Sequence, residues 1–150
     1  MSTETLQIEK QNAVAAYNKG DEGSKTLLEN LFGKHHFITD ILKRCTTLED
    51  ACRETGKDMQ SILSIADPYK QAEAAIETFA EALREGEPAE ECWYYPYFYR
   101  SSGGGFSFGD FGDGHDCSTV GARLRVDSAV KAKHLGNCML SYYKTYINGK

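Results

Sequence analysis

The clearest apolar pattern in the chain is a stripe at helical spacing between residues 68 and 85. Its members are three or four positions apart, and they are Tyr69, Ala72, Ile76, Phe79 and Leu83. Such spacing predicts a helix with one buried face. Asp67 followed by Pro68 is typical of a helix start, and Gly86 of a helix end.

Shorter helical patterns fill the rest of the first 86 residues. They predict helices over about 3–19, from a Ser24 cap to Gly33, around 38–42, over 46–55 and over 59–66. Thr46 and Glu49 have the spacing of a capping box for the fourth of these. The front part of the chain, residues 1–86, is therefore predicted to be helical.

The pattern changes after residue 87. Residues 93–99, WYYPYFY, hold six aromatic residues and predict a strand. Pro96 places that strand at an edge or at a bulge, because proline has no N–H to donate. Residues 106–108 and 120–126 predict two more strands, 111–119 a loop, and 129–147 a last helix. We therefore expect one α+β domain over 1–150, with about three antiparallel strands and a C-terminal helix.

Charge and cysteine content narrow the function classes. The net charge is −5, and residues 1–92 alone carry −8. An acidic surface repels phosphates, so a nucleic-acid partner is not expected. Five cysteines, an odd number with no CxxC pair, predict reduced thiols in the cytoplasm. The polar N-terminus and the lack of a long apolar run predict neither a leader nor a membrane segment.

Four segments carry a resemblance to a known group of proteins. They are KTLLENLFGKHHF at 25–37, TTLEDACRETG at 46–56, YYPYFYRSSGGGFSF at 94–108, and the stretch from STVGARLRV to SYYKTYI at 118–147. In this order they resemble small uncharacterised proteins of bacteriophages and prophages of gut bacteria. The resemblance implies a phage origin and the host cytoplasm, without an activity. More locally, 100–126 is similar to the closing strands of C-type-lectin-like domains.

The aromatic run is the main candidate binding site. In a strand, Trp93, Tyr95, Tyr97 and Tyr99 would share one face, opposite Tyr94, Pro96 and Phe98. Tyrosine and tryptophan dominate interface hot spots, whereas a sheet face packed on helices is the structural alternative. Tyr95, Tyr97 and Tyr99 are the better outward set, because water can satisfy their hydroxyls. The predicted binding residues are Trp93, Tyr95, Tyr97, Tyr99, Arg100, Phe106, Phe108 and His115.

Three other motifs suggest chemistry, and each has a structural explanation that we prefer. Asp110, Asp113, His115, Asp116 and Cys117 could hold a cation, but their spacing fits no known loop and suits a turn. Residues 47–65 have the rhythm of a helix-turn-helix within an acidic surrounding. Pairs of cysteine and histidine, at 115 and 117 or at 134 and 138, could form a nucleophile only if the fold aligns them.

These observations favour a non-catalytic binding module with no metal or cofactor. Its partner would be a host or phage protein or a small ligand, and a homo-oligomer is a further option. A structural component of a virion is the first alternative, and a small enzyme is the second.

Overall fold

The structure is a computed structural model that describes residues 7–85, 93–114 and 124–149. The chain divides into two units, Met1–Asp40 and Ile41–Lys150. The division therefore falls well before the change in sequence character near residue 87. The helices are α1 Lys10–Lys19, α2 Glu22–Phe32, a 3₁₀ turn Lys34–His36, α3 Ile41–Arg44, α4 Leu48–Thr55, α5 Met59–Leu63, α6 Pro68–Arg84, α7 Ala129–Cys138 and α8 Leu140–Asn148. The strands are β1 Trp93–Arg100 and β2 Phe106–Gly114.

The first unit is a pair of helices, α1 and α2, followed by the 3₁₀ turn. Residues 7–9 are not helical, so α1 begins at Lys10 and not near residue 3. The cap of α2 is Asp21, whose carboxylate accepts the Ser24 N–H at 2.8 Å; the prediction of Ser24 as the cap was wrong. Tyr17 stacks on Phe37 with ring centroids 4.5 Å apart and donates its hydroxyl to Glu29 at 2.6 Å.

The second unit is built around α6. The predicted start is confirmed, because the Asp67 side chain accepts two N–H groups of the first turn and Pro68 is the first helical residue. The predicted capping box lies one position later, at Thr47 and Asp50, because α4 begins at Leu48. The buried residues of α6 join α3, α4, α7 and α8 in one core, whose largest fully buried side chains are Phe79, Ile76, Leu83, Leu135, Met139 and Val126.

The predicted last helix is two helices. The α-helical hydrogen bonds continue through the break, since the Met139 N–H donates to Leu135 and the Tyr143 N–H to Met139. The backbone of Met139 itself leaves the helical region, with φ −105° and ψ 19°. Ser128, one of the two capping candidates that the sequence offers with Asp127, is the N-cap of α7, and its hydroxyl accepts the Lys131 N–H.

The fold is α+β, with an antiparallel hairpin of two strands in the described part of the chain. The prediction of about three strands was wrong there. Of the predicted third strand, Val126 makes one isolated bridge to Tyr94, and Leu124 has a 3₁₀ conformation and not an extended one. The next pair in such a ladder would need an N–H from Pro96, which proline lacks. Residues 120–123 lie outside the described residues.

Candidate functional site

The β-hairpin has two faces, and its register decides which residues each face carries. Tyr95 lies opposite Gly112 and Tyr97 opposite Asp110, and then the register shifts so that Phe98 lies opposite Phe108. Gly109 is therefore the extra residue of a β-bulge on β2. We predicted a bulge or edge at Pro96; the bulge lies on the partner strand, next to that site.

The bulge changes which side chains of β2 point inward. With unbroken alternation, Phe111 would share a face with Ser107 and Gly109, opposite Phe106 and Phe108. Because Gly109 is inserted, Phe111 instead packs against the core, as Phe106 does. All three phenylalanines of β2 therefore lie on the face of the hairpin that packs against the helices. The prediction of a loop at 111–119 was wrong for Phe111–Gly114, which belong to β2, and its remaining residues, 115–119, lie outside the described residues.

The outer face of the hairpin carries three exposed tyrosines, Tyr95, Tyr97 and Tyr99, which we name the tyrosine face. Their exposed fractions are 40%, 38% and 60%, so each ring has one side in water. The Tyr97 and Tyr99 rings meet edge to face at 5.6 Å, and their hydroxyls lie 3.4 Å apart. The hydrogen bond to Tyr99 raises the pKa of Tyr97, so the Tyr97 phenol stays neutral near pH 7.

Glycines of β2 lie beneath these rings. A β-carbon built on Gly112 would be 2.8 Å from the Tyr95 ring, and one built on Gly109 would be 2.8 Å from the Tyr97 ring. Tyrosine rings that cover strand glycines protect the backbone where glycine leaves a gap. The sequence signal for this arrangement was the glycine spacing in FSFGDFGDG, which we had assigned partly to a loop.

The inner face packs on the C-terminal helices. Phe98 stacks on Phe106 at 5.0 Å and contacts the Tyr143 ring at 4.6 Å, and Pro96 is buried. A β-carbon built on Gly136 of α7 would lie 2.5 Å from the Phe108 ring and 2.8 Å from Pro96. Glycine at 136 therefore lets α7 approach the hairpin closely.

The structure separates the predicted binding residues into two groups. Tyr95, Tyr97 and Tyr99 share the outer face, as the alternation predicted. Trp93 is half-buried at the start of β1, and Arg100 is exposed at its end. Phe106 and Phe108 lie on the inner face, so they form no common surface with the tyrosine face. His115 lies outside the described residues.

Of the Asp-rich segment, Asp110 and Asp113 are described. Asp110 pairs with Lys133 of α7 at 3.2 Å, and the Lys133 ammonium also lies 5.0 Å from the centre of the Phe111 ring. The pair with Lys133 lowers the pKa of Asp110. His115, Asp116 and Cys117 lie outside the described residues. Elsewhere, the described side chains include no cluster of three or more histidines, cysteines or carboxylates that could hold a metal.

The pair His134 and Cys138 is not arranged as an activated nucleophile. The Cys138 Sγ is 3.5 Å from His134 Nε2, but that nitrogen is 2.7 Å from the Cys45 carbonyl oxygen. Because a carbonyl only accepts, Nε2 carries the proton, and the basic Nδ1 is 3.8 Å from the sulfur. Burial raises the pKa of the Cys138 thiol, which keeps it protonated. Cys45, Cys52 and Cys138 are all free thiols.

The segment with helix-turn-helix rhythm forms a short helical hairpin. Gly56 takes the left-handed conformation between α4 and α5, and α5 is only the five residues Met59–Leu63. Lys57, which lies between Gly56 and α5, pairs with Glu81 of α6.

Comparison with protein-family models, with curated proteins and with solved structures found no match for this chain. The resemblances noted in the sequence therefore stay predictions. A search of the described residues for a helix long and apolar enough to cross a membrane found none.

Proposed function

We propose that this chain is a non-catalytic binding module that holds a protein partner on its tyrosine face. The observation that carries this proposal is the exposure of three neighbouring tyrosines on one side of a hairpin whose other side is buried. Tyrosine is enriched at interface hot spots, since its large ring and single hydroxyl combine apolar contact with a hydrogen bond. Following the resemblance in the sequence, we propose a host or phage protein as the partner.

The geometry of the rings supports a binding role. The Tyr95 and Tyr97 rings each rest on a strand glycine, and Tyr97 also rests against Tyr99. Side chains already held in place lose less rotational freedom when a partner covers them. The tyrosine face is therefore pre-organised on the side of the hairpin opposite the packed inner face.

Covering strand glycines is the competing explanation for these tyrosines. It requires the rings but not the hydroxyls, and it requires no partner. The two explanations separate in the double variants Tyr97→Phe/Tyr99→Phe and Tyr97→Ala/Tyr99→Ala. Phenylalanine keeps the glycine cover and removes only the hydroxyls, whereas alanine removes both.

The test is capture of a partner from cells that express the chain, followed by titration calorimetry with the purified partner. We expect the phenylalanine variant to melt like the parent chain and to bind about tenfold more weakly, for two lost hydrogen bonds. We expect the alanine variant to show no measurable binding. Val130→Ala is the control, because Val130 is an equally exposed apolar residue, at 61%, on α7. Unchanged affinity in both double variants would contradict the proposal.

A further inference from the structure

Among the described residues, nothing pairs with most of the edge of β1 that faces away from β2. Tyr94 exchanges two hydrogen bonds of 3.0 Å with Val126 on this side. The main-chain N–H and C=O groups of alternate residues in a strand point to the same edge. Those of Pro96, Phe98 and Arg100 therefore point to the same edge as those of Tyr94. Past Tyr94, no main-chain group of the described residues bonds to this edge. Phe98 and Arg100 thus present two donors and two acceptors, and Pro96 presents one acceptor.

A groove of about 280 Å³ lies beside this open edge. We name it the β1 groove, and it is lined by Tyr95, Pro96, Phe98, Leu124, Arg125, Tyr143, Tyr146 and Ile147. The Tyr143 hydroxyl is buried, and among the described residues it has no hydrogen-bond partner. The volume is just under the roughly 300 Å³ at which pockets for drug-sized ligands begin. The β1 groove therefore suits side chains of a polypeptide better than a whole cofactor.

We infer that the open edge of β1 and the β1 groove accept one extended strand of a partner polypeptide. The strand would continue the ladder that Val126 begins, and it would exchange main-chain hydrogen bonds with Phe98 and Arg100. Alternate side chains of the strand would enter the groove, and these would be apolar. This inference rests on the proposed function, because it states how the partner protein is held.

The charges at the site specify the strand further. Arg100 ends the open edge, and its side chain is exposed. An acidic side chain at the end of the strand beside Arg100 would therefore be favoured. A second copy of this chain suits the edge less well. Pairing two β1 edges about Phe98 would set each Pro96, which has no donor, opposite Arg100 of the other copy, so that both ends of the ladder would lose a main-chain hydrogen bond.

The direct test uses a panel of short, end-blocked synthetic peptides with alternating valine or leucine and glutamate or threonine, and the whole chain. The best binder is then N-methylated at one backbone position at a time. We expect weakening of about tenfold at every second position and little change between, because only alternate N–H groups of a strand face β1. Uniform effects along the peptide, or a panel without any binder, would overturn the inference.

The matched variants are Arg100→Pro and Arg100→Ala. Both remove the guanidinium, but only proline also removes the N–H at the open edge. We expect R100P to bind the best peptide about tenfold more weakly than R100A. Equal binding by the two, with equal melting temperatures, would overturn the inference; if R100P does not fold, the N-methyl series decides.

Two further outcomes separate this inference from the proposed function. If Tyr97→Ala/Tyr99→Ala abolishes peptide binding while R100P and the N-methyl series have no effect, the tyrosine face stands and the strand site is overturned. If the peptide obeys the N-methyl pattern but the tyrosine variants capture the partner normally, the strand site stands and the tyrosine face fails. A dimer that R100P dissociates would assign the edge to a second copy and overturn the inference.

Discussion

The two faces of the β-hairpin use the same class of residue in opposite ways. On the inner face Phe98, Phe106 and Phe108 pack against one another and against α7 and α8, with Pro96 buried. On the outer face Tyr95, Tyr97 and Tyr99 are each between 38% and 60% exposed. Tyr94, on the inner side, is half-buried and packs against the core although it carries a hydroxyl. The burial of an aromatic residue in β1 therefore follows its face of the strand and not its chemical type.

The largest effect that separates the faces is the loss of an inner ring. Phe98→Ala removes a ring in contact with Phe106, Phe108 and Tyr143, and should lower the free energy of unfolding by about 3 kcal/mol. Tyr99→Ala, on the exposed face, should lower it by less than about 1 kcal/mol. Urea unfolding of both variants measures the contrast. Equal losses would mean that the outer ring is as much a part of the packing as the inner one.

The next effect comes from the helix that covers the inner face. Gly136→Ala places a methyl group 2.5 Å from the Phe108 ring, so overpacking of about 1–3 kcal/mol should outweigh the gain in helix propensity of about 1 kcal/mol. Gly23→Ala in α2 is the control, since its new methyl would have only an ordinary contact of 3.6 Å with Asp21. We expect a lower melting temperature for G136A and an equal or higher one for G23A. Stabilisation by both would show that α7 does not lie close to the hairpin.

Removing the buried hydroxyl of Tyr143 should have a smaller effect on stability, and one of opposite sign. Burial raises the pKa of Tyr143, and its hydroxyl has no hydrogen-bond partner among the described residues. Tyr143→Phe should therefore leave stability unchanged or raise it by up to about 1 kcal/mol. Tyr17→Phe is the comparison, because the Tyr17 hydroxyl bonds to Glu29 and its loss should not stabilise. A clear loss of stability in Y143F would mean that the hydroxyl is satisfied in solution.

The smallest effect concerns the ion pair that ties β2 to α7. The hydrogen bond from Lys133 lowers the pKa of Asp110. The ion pair therefore stabilises the fold fully at a pH above the ordinary pKa of a carboxyl group. This stabilisation is lost as the pH falls through the lowered pKa of Asp110. Asp110→Asn should therefore narrow the difference in melting temperature between pH 7 and pH 3 slightly. Because both side chains are about half exposed, the change should be small. An unchanged difference would show that the pair does not form in solution.

Features of the fold that depend on residues close together in the sequence were predicted correctly or nearly so. Asp67-Pro68 marked the start of α6, and the aromatic run marked β1, because caps and strand propensity act over a few residues. Adjacent threonines were ambiguous, so the capping box was assigned to Thr46 in place of Thr47. Alternation in WYYPYFY separated the two faces, and the need of phenol hydroxyls for water favoured Tyr95, Tyr97 and Tyr99 as the exposed set, which is confirmed, whereas Trp93 of the same alternating set is half-buried.

Features that depend on contacts between distant segments were not predictable in the same way. The bulge at Gly109 is defined only by the register against β1, so Phe111 was placed in a loop. The ladder that pairs Val126 with Tyr94 does not extend back to Leu124, because Pro96, about thirty positions earlier in the chain, has no N–H to donate. Gly136 looked like an ordinary helical residue until the Phe108 ring was placed against it. In each case, the decisive neighbour is far away in sequence.

The proposed function requires the tyrosine face to be open in the free chain and covered in the complex. Hydroxyl-radical footprinting of the parent chain, read by mass spectrometry with and without the captured partner, tests it directly. We expect Tyr95, Tyr97 and Tyr99 to be oxidised in the free chain and protected in the complex, while Tyr143, which is 5% exposed, stays unmodified in both. If the three outer tyrosines are oxidised equally with and without the partner, the partner binds elsewhere and the claim is wrong.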